Sequence, residues 1–112
     1  MKNLTTSTGR YITLARRKQI NTADIIMLEA DVNYTKIYLN SGQSLLVAIT
    51  LKRFESQFLQ QPSFFRTHKS YIINLAYVAD FAEDINMKNQ KKVTVSRRRR
   101  PEFIERIKQV NV

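Results

Sequence analysis

Asp24-Ile25-Ile26-Met27-Leu28-Glu29-Ala30 and Tyr34-Thr35-Lys36-Ile37-Tyr38-Leu39, separated by Asp31-Val32-Asn33, decide the fold class of this chain. The first stretch is an apolar run without alternation, and its length suits a strand covered on both faces. The second alternates: Thr35, Ile37 and Leu39 share one face, and Tyr34, Lys36 and Tyr38 the other. Asn40-Ser41-Gly42-Gln43 then supplies a hairpin turn, with Gly where a positive φ is needed. Ser44 to Ile49 pairs back. Its Leu45, Leu46, Val47 and Ile49 leave neither face polar, which predicts a central strand between two packed layers.

Outward from this core the period changes. Leu51, Phe54 and Phe58 fall at i, i+3 and i+7, one face of a helix over Thr50–Gln60, with Thr50 as cap and Pro62 as stop. Phe64 to Asn74 reads as a short strand, an irregular turn around Lys69 and a second short extended piece. A meander follows: Tyr77–Ala82, a turn at Glu83-Asp84, Ile85–Lys88, a turn at Asn89-Gln90, and Lys91–Ser96, with Val93 and Val95 on the buried side. Pro101 can open a closing helix that carries Phe103, Ile104 and Ile107 on one side. Upstream, Tyr11-Ile12-Thr13-Leu14-Ala15 is a strand, Arg16-Arg17-Lys18 an exposed turn, and residues 1–9 a flexible lead-in. The expectation is a mainly β domain over residues 10–112, with stacked antiparallel sheets, one middle helix and a short C-terminal helix.

The 112 residues include 19 Lys+Arg against 9 Asp+Glu, a formal net charge of +10. Residues 1–23 carry five basic residues and no acid; residues 88–112 carry nine basic residues and only Glu102 and Glu105. Excess charge at the chain ends points to a polyanion. There is no Cys and a single His, His68, so zinc ribbons, iron–sulfur sites and thiol catalysis are excluded and no cofactor is expected. The longest apolar run, Leu45–Ile49, is far below the roughly 20 residues a membrane helix needs. The N-terminus has no apolar core of a secretory signal, so a cytoplasmic location is expected.

Three constellations stand out. Arg97-Arg98-Arg99-Arg100 lies between a strand and a helix start, where the helix dipole also favours an anion. Arginine suits phosphate, and it can also read guanine in the major groove with two hydrogen bonds. Arg66-Thr67-His68-Lys69-Ser70 places Lys69 toward nucleic acid, with Arg66 and Ser70 in reach of phosphates. The alternative is that His68 and Arg66 are hydrogen-bonded anchors of an irregular turn; a lone imidazole is more often structural than catalytic, so His68 reads first as such an anchor. Asn33-Tyr34-Thr35-Lys36 combines an adenine reader, a stacking ring and a cation, although Tyr34 fits a core position equally well. Asp80-Phe81-Ala82-Glu83-Asp84 lacks the spacing of a calcium loop and reads as a solvated turn away from the binding surface. No glycine-rich phosphate loop or catalytic triad exists, so no enzyme and no metal site are expected.

These motifs together resemble the LytTR-type DNA-binding domains. Ile25–Ala30 followed by Asn33-Tyr34 is similar to the family's opening, as is the Asn40-Ser41-Gly42 turn leading to Thr50-Leu51-Lys52-Arg53-Phe54-Glu55. The most specific likeness is Phe65-Arg66-Thr67-His68-Lys69-Ser70-Tyr71-Ile72-Ile73-Asn74, close to the family's F-x-R-x-H-[RK]-S-[YF]-[IV]-[VI]-N run; Val95-Ser96-Arg97 matches its closing V-S-R. The resemblance covers about residues 10–108. It implies a bacterial transcription regulator that inserts loops into successive major grooves of double-stranded DNA. Base contacts are then implied for Asn33–Lys36, Lys69 and the segment from Arg97, with Asn74 structural. The implied partners are duplex DNA with repeated sites, and a second copy or a partner regulator on it. Family members typically carry a receiver domain in front; residues 1–9 have no room for one, so phosphorylation control of that kind is not expected. The alternative is an RNA-binding β domain using Tyr34, Tyr38 and Arg97–Arg100.

Overall fold

The computed structural model describes residues 11–14, 18–58 and 61–110. The lead-in, Arg16-Arg17 and the expected last residues of the middle helix, 59–60, lie outside the described residues. The elements in chain order are β1 Tyr11–Thr13, β2 Gln19–Asn21, β3 Ile25–Asp31, β4 Tyr34–Leu39, β5 Ser44–Val47, α1 Leu51–Gln57, β6 Phe64–His68, β7 Tyr71–Asn74, β8 Val78–Phe81, β9 Ile85–Met87, β10 Lys92–Val93 and α2 Arg100–Val110. The strands form three antiparallel sheets, β5-β4-β3-β7-β6, β10-β9-β8 and β1-β2.

The unbroken apolar run of β3 has the explanation expected of it. It is the middle strand of the five, and Ile25, Ile26, Met27 and Leu28 are all buried. A bulge lies in its pairing with β4 between Ile25 and Met27. It turns Ile26 and Met27 toward one core and leaves Ile25 and Leu28 in the other. The first core, with Phe65, Ile73, Ile85, Met87, Val93, Val95, Phe103 and Ile107, lies under β8–β10 and α2. The second, with Ile12, Leu14, Ile37, Phe54, Phe58, Phe64 and Ile72, lies under α1 and the β1-β2 hairpin. The Cα radius of gyration, 13.7 Å, is that of one packed unit of this length.

Three expectations are corrected. Ser44–Ile49 is not central: β5 is the edge strand, and Leu46, opposite Lys36 in register, is 57% exposed. Its apolar character reflects burial of one face only, through Leu45 and Val47. The expected strand Lys91–Ser96 is paired only at Lys92–Val93. Beyond Val93 the chain leaves β9 and reaches β6, where Ser96 N–H donates to the Thr67 carbonyl (2.8 Å). The acidic turn after β8 is not remote from the basic run, because the Ala82 and Glu83 carbonyls accept from the Arg100 guanidinium. Elsewhere expectation and structure agree. Gly42 holds φ +96 in its hairpin turn, and the Thr50 hydroxyl caps α1 at Arg53 N–H (3.4 Å).

Candidate nucleic-acid interface

Sheet register brings two of the sequence-selected segments to one end of the five-stranded sheet. The β3–β4 turn follows Asp31, paired with Tyr34, and β3 pairs with β7 up to Glu29 opposite Tyr71. The β6–β7 turn therefore lies beside the β3–β4 turn, and Ala30 N–H donates to the Ser70 carbonyl (2.8 Å). The third segment arrives from outside the sheet, tied by the Ser96–Thr67 bond and by Arg99 Nη1, which donates to the Arg66 carbonyl (3.2 Å).

The β3–β4 turn presents its residues outward. Val32 is 90% exposed at φ +56, a conformation unfavourable for a β-branched residue. Asn33 is exposed, and among the described residues nothing pairs with its side chain. Tyr34 is 47% exposed, so the core alternative for it is not what folds. Lys36 lies on the opposite face from buried Thr35 and Ile37, with its ammonium 5.2 Å from the Tyr38 ring. Tyr38 donates to Glu29 Oε1 (2.8 Å). Burial first, then that bond, pushes the Tyr38 hydroxyl above its ordinary range, so it is a protonated donor at neutral pH.

The β6–β7 turn is built from within. A bulge at Thr67 makes room for an irregular reversal. Arg66 Nε donates to the His68 carbonyl (2.9 Å), and Arg66 Nη2 to the Lys69 carbonyl (2.7 Å). Its Nη1 meets Glu55 Oε1 of α1 at 2.6 Å. His68 Nδ1 accepts from Ser70 N–H (3.2 Å), and the ring lies 6.0 Å from Tyr71. Arg66 and His68 thus hold the turn from inside, while Lys69 stands exposed at its tip.

The arginine run divides the same way. Ser96 accepts from Arg99 N–H through its carbonyl (3.0 Å) and its hydroxyl (3.3 Å), bending the chain into α2. Arg99 and Arg100 direct their guanidinium groups at carbonyls of β6 and of the β8–β9 turn. Arg97 and Arg98 are exposed with no partner among the described residues. An open depression of about 380 Å³ between this segment and the β6–β7 turn is lined by Arg66, His68, Lys69, Ser96, Arg98 and Arg99. Four of the six carry a positive charge and none is acidic, which suits an anion. Among the described residues no group of three or more His, Asp or Glu could hold a metal ion. No described helix is long and apolar enough to cross a membrane.

Residues 15–108 match the LytTr DNA-binding domain family. This chain belongs to the LytTR family. The LytTr DNA-binding domain of a putative methyl-accepting/DNA response regulator from Bacillus cereus shares its fold. That structure superimposes with a TM-score of 0.68 at 22% identity, over 88% of this chain and 96% of the other. The CO-responsive transcriptional regulator RcoM of Rhodospirillum rubrum is 37% identical over 62 residues. That stretch is 55% of this LytTR chain and 25% of the regulator, so the match spans a quarter of that protein's length.

Sequence reasoning missed Glu55 and Ser96 as parts of this LytTR site. Glu55 acts across 11 residues of chain on Arg66, a separation with no local signature. Ser96 was visible as a motif letter, but its two roles, bonding the β6 edge and capping the turn into α2, needed the fold.

Proposed function

We propose that this protein is a sequence-specific double-stranded DNA-binding transcription regulator that reads major grooves through loops at one end of its five-stranded sheet. The observation that carries the reading is the convergence of Asn33, Lys69 and Arg97 at that end, each exposed and each on a turn fixed by internal hydrogen bonds or strand pairing. Unpaired donors on a fixed backbone are what base-edge recognition requires. Asn33, Lys69 and Arg97 are assigned to base edges. Lys36, Ser70, Arg98 and the Tyr34 hydroxyl are assigned to phosphates. Arg66, His68, Arg99 and Arg100 position the loops through the bonds described above.

In this reading residues 10–112 are one cytoplasmic, non-catalytic DNA-binding domain, and its sites are repeated, with a second copy or a partner regulator on the neighbouring repeat. The test has two parts. Duplex DNA, single-stranded DNA and RNA of matched sequence are titrated in competition, and the preferred duplex is then methylated at guanine N7, which lies in the major groove. Preference for duplex and loss of binding on N7 methylation are expected. Preference for single strands would favour an RNA-binding domain, and indifference to N7 methylation would refute major-groove reading.

A further inference from the structure

The chain between Lys91 and Ser96 crosses the five-stranded sheet. At one end Lys91 Nζ lies 5.0 Å from the Tyr38 ring on β4; at the other, Ser96 N–H is bonded to Thr67 on β6. Strands β3 and β7 lie between β4 and β6. Three strand spacings are about 14 Å, and five residues reach about 17 Å when extended, so the segment is long enough to pass from the Tyr38 side of the sheet to its β6 edge. Val93 and Val95 face the core beneath it, and Lys92 and Thr94 face solvent. Arg97 and Arg98 continue from the β6 side.

The β4 end of this segment is held as firmly as the reading loops. Met87 N–H donates to the Lys91 carbonyl (2.9 Å), Lys91 N–H to Asn89 Oδ1 (3.0 Å) and Gln90 N–H to the Met87 carbonyl (2.8 Å). Gln90 occupies φ +72 to close the turn. Lys91 and Lys36 bring two ammonium groups to one Tyr38 ring. Glu29, opposite Lys36 in register, accepts from the Tyr38 hydroxyl. None of the three ion pairs among the described residues involves Lys36, Lys91 or Lys92. Two ammonium groups against the single Glu29 carboxylate leave the cluster net positive, which favours an external anion.

We propose that Lys91, Lys92 and Arg98 form a phosphate-binding rail that extends the interface past its three loops, with Lys91 and Lys92 seating the DNA backbone on the flank beside Asn33–Lys36. The inference rests on the duplex-DNA reading above.

The test uses the full chain with Lys91→Ala, Lys92→Ala and, as comparator, Lys108→Ala near the far end of α2. Each is titrated with a preferred and a scrambled duplex at several salt concentrations, and hydroxyl-radical footprints are recorded. All three positions are exposed, and a thermal melt checks that each variant folds. Lys91→Ala and Lys92→Ala are each expected to reduce the salt slope by about 1 with the preferred-to-scrambled ratio unchanged. Their footprints should lose protection on one flank only, and Lys108→Ala should match the parent. Salt slopes and footprints like the parent's in both rail variants would overturn the rail while leaving the duplex reading intact. An equal loss of slope in Lys108→Ala would also overturn it, because the effect would then be net charge alone. If the parent protein binds no duplex, the reading and the rail fall together.

Discussion

Arg66 aims its guanidinium at Glu55 and at two carbonyls of the turn that carries Lys69, with side chains only 17% and 39% exposed in the pair. Arg66→Lys keeps the charge and loses the planar fork, so it should destabilise the fold by about 1–2 kcal/mol. Chemical denaturation measures this, and no loss would mean that the fork does not hold the turn. Val32 offers the opposite case, a residue whose replacement should help. Asn tolerates the left-handed region that Val32 occupies, and Val32→Asn should raise stability by up to about 1 kcal/mol, read as a melting temperature a few degrees higher. The arginine run supplies a third test. Arg97 has a free guanidinium just past an anchored Ser96, so Arg97→Ala should lose roughly 1–3 kcal/mol of preference for the cognate over a scrambled duplex. Arg98→Ala should weaken both duplexes alike, and paired titrations distinguish the two. The Arg66 and Arg97 motif positions were legible in the sequence. That Arg99 and Arg100 face carbonyls was not, because their acceptors on Arg66, Ala82 and Glu83 are brought near only by the fold.

Helix α1 is a packing element. Leu51, Phe54 and Phe58 are buried against Ile37, Phe64 and Ile72, and Phe58 stacks on Phe64 at 4.1 Å between ring centroids. Phe54→Ala should leave a cavity costing about 3–5 kcal/mol, and an unchanged denaturation midpoint would contradict this packing. The helical period made this element readable from its sequence, as alternation did for β4 and the Gly42 turn for the β4–β5 hairpin. Strand β5 was misplaced because four consecutive residues without charge look alike at a sheet centre and at a half-covered edge. Strand β10 was overextended because Val93 and Val95 keep their alternation after the chain has left β9. Period 2 reports which side faces the core, not which neighbour supplies the hydrogen bonds. The opposite edge of the sheet is closed by a device no local pattern announces. Arg106 and Arg99 donate to the Phe64 and Arg66 carbonyls, and Ser96 N–H to that of Thr67.

Across the whole molecule, a net charge of +10 is joined to a fold that places Lys36, Lys69, Arg97 and Arg98 around one end of a sheet. Neutralising about 4–7 phosphates there predicts that log K falls against log salt with a slope of about −4 to −6. Titration from low to moderate salt checks this, and a slope near zero would remove the electrostatic argument. Charge alone would bind any duplex, whereas the fixed loops predict discrimination between sequences. Selection of bound duplexes from a random library, read by sequencing, addresses that difference most directly. Base reading by fixed loops predicts enrichment of a defined motif, repeated at a spacing of about one helical turn, that Arg97→Ala recovers less sharply. Recovery of duplexes with no enriched motif would contradict it.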